Sequence, residues 1–161
     1  MITIRIATIS DGSAIWSILK PVFRAGETYT VARDIDEAEA MAYWCGPSHE
    51  TCVAERDGNI LGTYFLRANQ AGGGDHVANC GYVTAGQAQG RGVGRLMLEH
   101  SLVRAKERGF RAMQFNFVVS TNERAIRTWE AYGFAKVGCL PLAFRHPVVG
   151  FVHAFVMYKQ L

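Results

Sequence analysis

The segment QGRGVGR, residues 89–95, lies between an apolar run and a stretch with helical periodicity. Backbone N–H groups at the start of a helix have no intrahelical acceptor and carry a partial positive charge. Glycine lets a phosphate approach such a backbone closely, because glycine has no Cβ. This segment, called the glycine loop below, therefore predicts a binding site for a polyanion.

The spacing of the glycine loop excludes two common phosphate-binding motifs. A P-loop requires G-x-x-x-x-G-K-[ST], and no lysine or hydroxyl residue stands at the required position. The dinucleotide motif requires G-x-G-x-x-G, but its third glycine would fall on Arg95 or Met97. The glycine loop instead has the spacing Gln89-x-x-Gly92-x-Gly94. By itself, this pattern leaves an ordinary glycine turn before a helix as an open alternative.

The composition predicts a single globular domain, residues 1–161, that binds a small anionic ligand. Of the 161 residues, 49% are hydrophobic and 19% are charged, which is enough apolar material to form a sizeable core. The net charge of +3 is too small and too dispersed for a nucleic-acid-binding surface. We therefore expect no nucleic-acid partner.

Cysteine spacing and hydropathy bear on the metal content and the cellular compartment. The four cysteines form no C-x-x-C pair, so we expect buried free thiols and no metal site. No apolar run is long enough to span a membrane, and the N-terminus lacks the layout of a signal peptide. The expectation is a cytoplasmic protein with no membrane partner, and a homodimer remains open.

Periodicity predicts the element order β-α-α-β-β-β-α-β-α-β-β, a mixed sheet with helices on its faces. The dipeptide Asp57-Gly58 predicts a tight hairpin turn. Pro21 predicts a bend or an end in the first helix. The pair Ser120 and Glu123 predicts a capping box for the last helix.

A second motif makes the ligand specific. The run N-x-x-A-I-x-x-W-E-x-x-G-F, residues 122–134, resembles the second signature of the GCN5-related N-acetyltransferases (GNAT), and the glycine loop resembles their acyl-CoA pyrophosphate loop. The resemblance implies the GNAT α/β fold, with a mostly antiparallel sheet of about seven strands, helices on both faces, and a splay between the fourth and fifth strands. It also implies acetyl-CoA as the co-substrate, lying in that splay.

The resemblance further implies which residues bind acetyl-CoA. The backbone of the fourth strand pairs with the pantetheine arm, the glycine loop wraps the pyrophosphate, and two residues of the second signature contact the cofactor. These cofactor-binding residues are Tyr82, Val83, Thr84, Gln89, Gly90, Arg91, Gly92, Val93, Gly94, Arg95, Asn122 and Trp129. For Arg91 and Arg95, solvated helix charges are an alternative interpretation, and for Trp129 the alternative is a side chain that only fills the core.

The catalytic acid and base do not follow the usual family pattern. Trp129 occupies the position of the tyrosine that often protonates the departing thiolate, and an indole N–H is not acidic enough for that role. Tyr132 is a substitute acid or a buried side chain. The fifth strand lacks the glutamate of some relatives, so Glu27 is the remaining candidate base. Solvent exposure without function is the alternative for Glu27.

Other polar side chains are candidates for binding the acceptor. Asn79 and Asn116 interrupt the two apolar strands that flank the splay, where each amide either satisfies nearby backbone or holds a substrate carboxylate or carbonyl. Tyr29 shares the Glu27 loop and is a candidate for the same pocket. Arg145 and His146, between the last two strands, either contact the acceptor or are exposed.

The expected function is acetyl-CoA-dependent N-acetylation of a small-molecule amine, by direct attack in a ternary complex. The strand asparagines and the runs VVSTN and FRHP also resemble a GNAT branch that includes proline-analogue acetyltransferases. This resemblance makes an amino acid or an amino-acid analogue a candidate acceptor. Two alternatives are a protein or peptide N-acetyltransferase and a non-catalytic acyl-CoA-binding sensor.

Overall fold

A seven-stranded sheet in the order β1-β2-β3-β4-β5-β7-β6 organises the computed structural model, which describes residues 1–161. Short 3₁₀ turns precede the first long helix and lie on either side of the fourth strand. The elements are β1 (Thr3–Ile6), α1 (Gly12–Ala25), α2 (Glu37–Trp44), β2 (Glu50–Arg56), β3 (Asn59–Ala68), β4 (Val77–Thr84), α3 (Val93–Glu107), β5 (Ala112–Val119), α4 (Glu123–Ala131), β6 (Ala135–His146) and β7 (Gly150–Gln160).

The sheet is antiparallel except between β4 and β5, and these two strands part almost at once. Their parallel pairing consists of Val77 with Ala112 and Ala78 with Met113. Beyond these two pairs, β4 continues beside β3 and β5 continues beside β7. The predicted mixed sheet with a splay between the fourth and fifth strands is therefore confirmed.

Alternating residues of β3 place helices on both faces of the sheet. On one face, the indole N–H of Trp44 in α2 donates to Thr63 Oγ1 at 3.0 Å. On the other face, Tyr64 hydrogen-bonds to His100 Nδ1 of α3 at 2.7 Å. Both Trp44 and Tyr64 are fully buried, so each face contributes to the core.

The turn signals of the sequence had different outcomes. Asp57 and Gly58 adopt positive φ angles of 53° and 76° between β2 and β3, as the hairpin prediction requires. Pro21 does not end α1, which continues to Ala25 while the last turn buries Phe23. The Ser120 capping box is wrong, because α4 begins at Glu123 with Asn122 as its N-cap.

The cysteines and the helices lead to three further observations. Cys52 and Cys80 are buried free thiols as predicted, whereas Cys45 and Cys139 are exposed. No group of three or more His, Cys, Asp or Glu side chains is arranged to hold a metal ion. None of the helices is long and apolar enough to cross a membrane.

A buried carboxylate joins β1 to the start of α1. Asp11 accepts two hydrogen bonds from the Arg5 guanidinium, at 2.7 and 2.9 Å, and one from the Thr8 amide at 2.7 Å. The hydrogen bonds from Arg5 are the main reason that the pKa of Asp11 is well below its usual value. Because the folded pKa is lowered, the ionised carboxylate stabilises the fold above the unfolded pKa, and this stabilisation is lost as the pH falls.

We predict that Asp11→Asn lowers the free energy of unfolding by about 1–3 kcal/mol at pH 7, because the charge-assisted hydrogen bonds to Arg5 are weakened. Urea unfolding of both proteins between pH 7 and pH 3 measures the effect. The difference between them should shrink below about pH 4, near the unfolded pKa of an aspartate. A pH-independent difference would contradict the role assigned to the ionised carboxylate.

Candidate active site

The glycine loop links β4 to α3 through two left-handed residues. Gly90 and Gly92 have φ angles of 76° and 79°, which L-residues with a Cβ rarely adopt. A Cβ at either position would meet no atom within 4 Å, so the glycines are required by the backbone conformation and not by crowding. Gly92 is also the N-cap of α3, and no side chain caps that helix.

The first turn of α3 therefore presents backbone N–H groups to the solvent side of the loop. The first intrahelical bond is made by the Leu96 amide to the Gly92 carbonyl, so the amides of Val93, Gly94 and Arg95 have no intrahelical acceptor. The positive end of the helix dipole lies at the same place. The polyanion site predicted from the sequence would therefore be formed by backbone groups.

The parting of β4 from β5 exposes one edge of β4. The Ala85 amide donates to the Leu61 carbonyl of β3, and the β3–β4 register continues along the strand without a bulge. In an antiparallel ladder, alternate residues direct both backbone groups to the same neighbour. The N–H and C=O groups of Cys80, Tyr82 and Thr84 consequently point towards the split between β4 and β5.

One cleft of about 680 Å³ extends from the glycine loop across this split to the loop between α1 and α2. Most of the residues predicted from the sequence lie together along it. They are Tyr29, Asn79, Tyr82, Val83, Thr84, Gln89, Gly90, Gly92, Val93, Gly94, Arg95, Asn116, Asn122 and Trp129.

Five of the predicted residues lie elsewhere. Arg145 is exposed and His146 is half-buried, and both line a separate pocket beside the last two strands. Arg91 and Glu27 are exposed and do not line the cleft.

Tyr132 does not line the cleft either, because its hydroxyl donates to the Glu99 carboxylate. The guanidinium carbon of Arg95 lies 5.7 Å from the centre of the Tyr132 ring. The hydrogen bond to Glu99 is the main reason that the pKa of Tyr132 is raised, so Tyr132 is a poorer acid than a free phenol.

Tyr29 closes the cleft from the α1–α2 loop. Its ring packs edge-on against Phe23 and Trp44, and its hydroxyl donates to the Tyr82 carbonyl at 3.0 Å. That carbonyl belongs to the open edge of β4. Burial raises the pKa of Tyr29 well above its usual value, so the hydroxyl stays protonated and acts as a donor.

The two strand asparagines belong to an amide network at the split. Asn79 is buried, and its Nδ2 donates to the Gln114 carbonyl of β5 at 3.0 Å. Asn116 is exposed, with Nδ2 donating to Asn69 Oδ1 at 2.6 Å and Oδ1 accepting from Gln114 Nε2 at 2.8 Å. Asn79 thus satisfies nearby backbone, one of the two readings of its sequence position, while Asn116 bonds to other side chains.

The cleft is electropositive because its charged side chains are all arginines. Arg67, Arg95 and Arg124 line it, and no aspartate or glutamate does. Arg67 is not among the residues predicted from the sequence. The only local signal was a basic residue at the end of the apolar run of β3, which by itself reads as a solvent-exposed strand end.

A buried thiol also lines the cleft. Cys80 is 7% exposed, and burial is the main reason that its pKa is raised to about 12. At neutral pH the thiol is therefore protonated and is a weak nucleophile.

A glycine-capped helix beside two parting parallel strands defines the class of protein as an acetyltransferase with the GNAT fold. The chain belongs to the Acetyltransferase (GNAT) family, which it matches over residues 13–134. This match confirms the resemblance seen in the glycine loop and in residues 122–134.

Individual relatives agree with the family assignment. A GCN5-related N-acetyltransferase from Kribbella flavida is 38% identical, with a TM-score of 0.94 over 99% of this chain and 98% of that one. The N-acetyltransferase aca1 of Schizosaccharomyces pombe is 29% identical over 113 residues, which are 68% of this chain. This chain spans about half, 53%, of the length of that curated relative.

A more distant structure shows the same fold with a ligand. The phosphinothricin acetyltransferase from Sinorhizobium meliloti, in complex with acetyl-CoA, is 20% identical to this chain. Its TM-score is 0.87, over 99% of this chain and 88% of that one.

We predict that Tyr29→Phe loosens the α1–α2 loop without unfolding the protein, because it removes one hydrogen bond and keeps the ring packing. A net loss of about 1 kcal/mol would make amide hydrogen exchange in residues 27–35 about fivefold faster. Tyr43→Phe is the matched control, since Tyr43 packs against the same Phe23 and makes no side-chain hydrogen bond. Equal exchange rates in the two variants would contradict the anchoring role of the Tyr29 hydroxyl.

Proposed function

We propose that this protein transfers the acetyl group of acetyl-CoA to the amine of a small molecule, by direct attack within a complex that holds both substrates. The observation that carries the proposal is the single cleft, which has an anion-binding helix start at one end and an aromatic pocket at the other. The open edge of β4 lies between these ends.

The residues at the first end fit acetyl-CoA. The amides of Val93, Gly94 and Arg95 would hold the pyrophosphate, and the positive φ angles of Gly90 and Gly92 shape the loop around it. The edge of β4 offers alternating N–H and C=O groups to the amides of the pantetheine arm, as a neighbouring strand would. The acetyl-CoA complex of the Sinorhizobium enzyme, which shares this fold, supports the assignment.

The thioester of acetyl-CoA supplies an electrophilic carbonyl and a thiolate leaving group. In the proposed reaction, the amine nitrogen bonds to the carbonyl carbon, the C–S bond breaks, the amine loses a proton and CoA leaves as a thiol. Backbone N–H groups on the open edge of β4, at Tyr82 or Thr84, would stabilise negative charge on the carbonyl oxygen. Holding both substrates in one cleft supplies a large part of the rate through positioning.

Two features of the cleft support direct attack and simple proton transfer. The protonated Cys80 is a poor candidate for a covalent acyl-enzyme. No carboxylate lines the cleft, so the amine proton passes to solvent or to Glu27 at the exposed loop. The positive charge of the lining arginines favours the neutral form of the amine, which is the form that can attack.

The second end of the cleft suits a small acceptor. Tyr29 connects the α1–α2 loop to β4, and Tyr43 and Phe65 form an apolar wall behind it. Arg24 Nη1 donates to the Arg33 carbonyl, and Arg33 Nε donates to the Arg24 carbonyl, which ties the two ends of that loop together. A protein substrate would need an open groove where this loop lies.

An assay of thiol release from acetyl-CoA, with amino acids, simple amines and peptides as acceptors, tests the proposal. We expect release with small amines and little with peptides. Gly94→Val should raise the Kd for acetyl-CoA at least about tenfold, because its side chain fills the space beside the first-turn amides. An added Cβ at Gly94 lies 3.5 Å from Thr84 Oγ1, an ordinary contact, so the variant should fold.

Gly86→Ala is the matched control, because a Cβ there meets nothing within 4 Å and Gly86 does not line the cleft. It should bind acetyl-CoA like the unmodified protein. Preferred acetylation of peptides would favour a protein acceptor instead. Tight acetyl-CoA binding without thiol release for any acceptor would favour a sensor.

We further predict that Trp129→Phe retains kcat within about threefold, because an indole does not act as a general acid and Phe keeps the packing against Phe115, 4.6 Å away between ring centres. Loss of a true general acid costs about 10²–10⁴-fold. Steady-state kinetics with saturating acetyl-CoA measures the effect. A decrease of 100-fold or more with unchanged thermal stability would show that the indole N–H takes part in the reaction.

A further inference from the structure

Arg67 is a charged residue of the acceptor end that has no acidic partner. It lies near the end of β3, pairs with Asn79 of β4 in the sheet register, and lines the cleft beside Tyr43 and Phe65. Arg67 takes part in none of the ion pairs of the protein. The cleft lining contains no carboxylate, so no acidic side chain of the cleft neutralises Arg67, and its charge is available to an anionic ligand.

The guanidinium is held in one orientation. Arg67 Nε donates to Asn79 Oδ1 at 3.3 Å, and Asn79 Nδ2 donates in turn to the Gln114 carbonyl at 3.0 Å. The guanidinium carbon also lies 5.8 Å from the centre of the Phe65 ring. The amide of Asn79, buried at the split, therefore fixes Arg67 relative to both β4 and β5.

This arrangement leaves the other edge of the guanidinium available. Nε is used by Asn79, whereas Nη1 and Nη2 make no hydrogen bond to the protein. Two parallel N–H donors at that edge match the two oxygens of a carboxylate. Lysine at this position would supply the charge without that geometry.

Neighbouring groups sense the positive charge of Arg67. Burial is the largest cause of the lowered pKa of His49, and the charge of Arg67 is the second cause. Burial raises the pKa of Tyr43, and the charge of Arg67 opposes that rise. The region around Arg67 is thus electropositive and partly shielded from water, where a charged hydrogen bond contributes more than at an open surface.

We propose that Arg67 binds the carboxylate of the acceptor, so that the preferred acceptors are amines that also carry a carboxylate, as amino acids do. Asn79 acts as the positioning residue for Arg67. The apolar wall of Tyr43 and Phe65 would contact the remainder of the acceptor. This inference rests on the proposed function and names the acceptor class for it.

Matched acceptor pairs test the assignment: L-phenylalanine with phenethylamine, L-leucine with isoamylamine, and L-proline with pyrrolidine. With the unmodified protein, kcat/KM should be higher for the acid of at least one pair. Arg67→Gln should reduce kcat/KM for that acid about 10–100-fold, mainly through KM, because a bidentate charged contact is lost. Its effect on the matching amine and on the KM for acetyl-CoA should be less than about threefold.

Two other variants probe the geometry and the charge separately. Arg67→Lys should recover only part of the preference, since it lacks the paired donors. Asn79→Asp gives Arg67 an acidic partner within the protein and should lower the preference for acids although Arg67 is still present. Arg111→Gln is the control, because Arg111 is exposed, lies outside the cleft and makes no ion pair.

The possible outcomes separate this inference from the proposed function. If the unmodified protein acetylates the amines and their acids equally, or if Arg67→Gln changes both equally with unchanged thermal stability, the assignment of Arg67 is wrong and the acetyltransferase function stands. If no acceptor releases CoA, the proposed function itself fails. If Arg67→Gln does not fold, the Arg67→Lys and Asn79→Asp variants decide, and an unaltered acid preference in both overturns the assignment.

Discussion

The early separation of β4 from β5 is the constraint on which the candidate site depends. Two residue pairs hold the strands together, at Val77 with Ala112 and at Ala78 with Met113, and the remainder of β4 keeps an unpaired edge. A buried strand edge costs free energy unless its amides and carbonyls find other partners. The fold meets part of this cost with side chains, because Tyr29 donates to the Tyr82 carbonyl and Asn79 bridges to the Gln114 carbonyl. The remaining groups are those that a ligand with its own amides would satisfy.

Charge in the cleft follows a simple division. Backbone amides at the start of α3 form the proposed anion site at one end, where Arg95 is already paired with Glu99 at 3.0 Å. At the other end, Arg67 is oriented by Asn79 and has no acid to neutralise it. The same cleft contains a protonated thiol and no carboxylate, and the proposed reaction therefore relies on positioning and electrostatics.

Sequence patterns predicted some features well because those features depend on residues close together in the chain. The hairpin at Asp57-Gly58 and the strand before the glycine loop both appear in the structure. The box at Ser120 failed because the chain makes another turn, with the Asn122 amide bonded to the Val119 carbonyl, before α4 begins. The position of Glu27 in the α1–α2 loop predicts a catalytic base, but it is Tyr29, two residues later, that lines the cleft.

The sequence alone determined the family and the location of the proposed phosphate-binding loop, because the glycine loop and residues 122–134 each carry their signal within a few turns of chain. The acceptor end was decided only by the tertiary structure. The contact between Arg67 and Asn79 depends on strand register, and the Tyr29–Tyr82 hydrogen bond joins residues 53 positions apart. No local pattern encodes such contacts, since they exist only when the sheet and the α1–α2 loop have packed. For this reason the side chains that would select the acceptor could be recognised only in the folded protein.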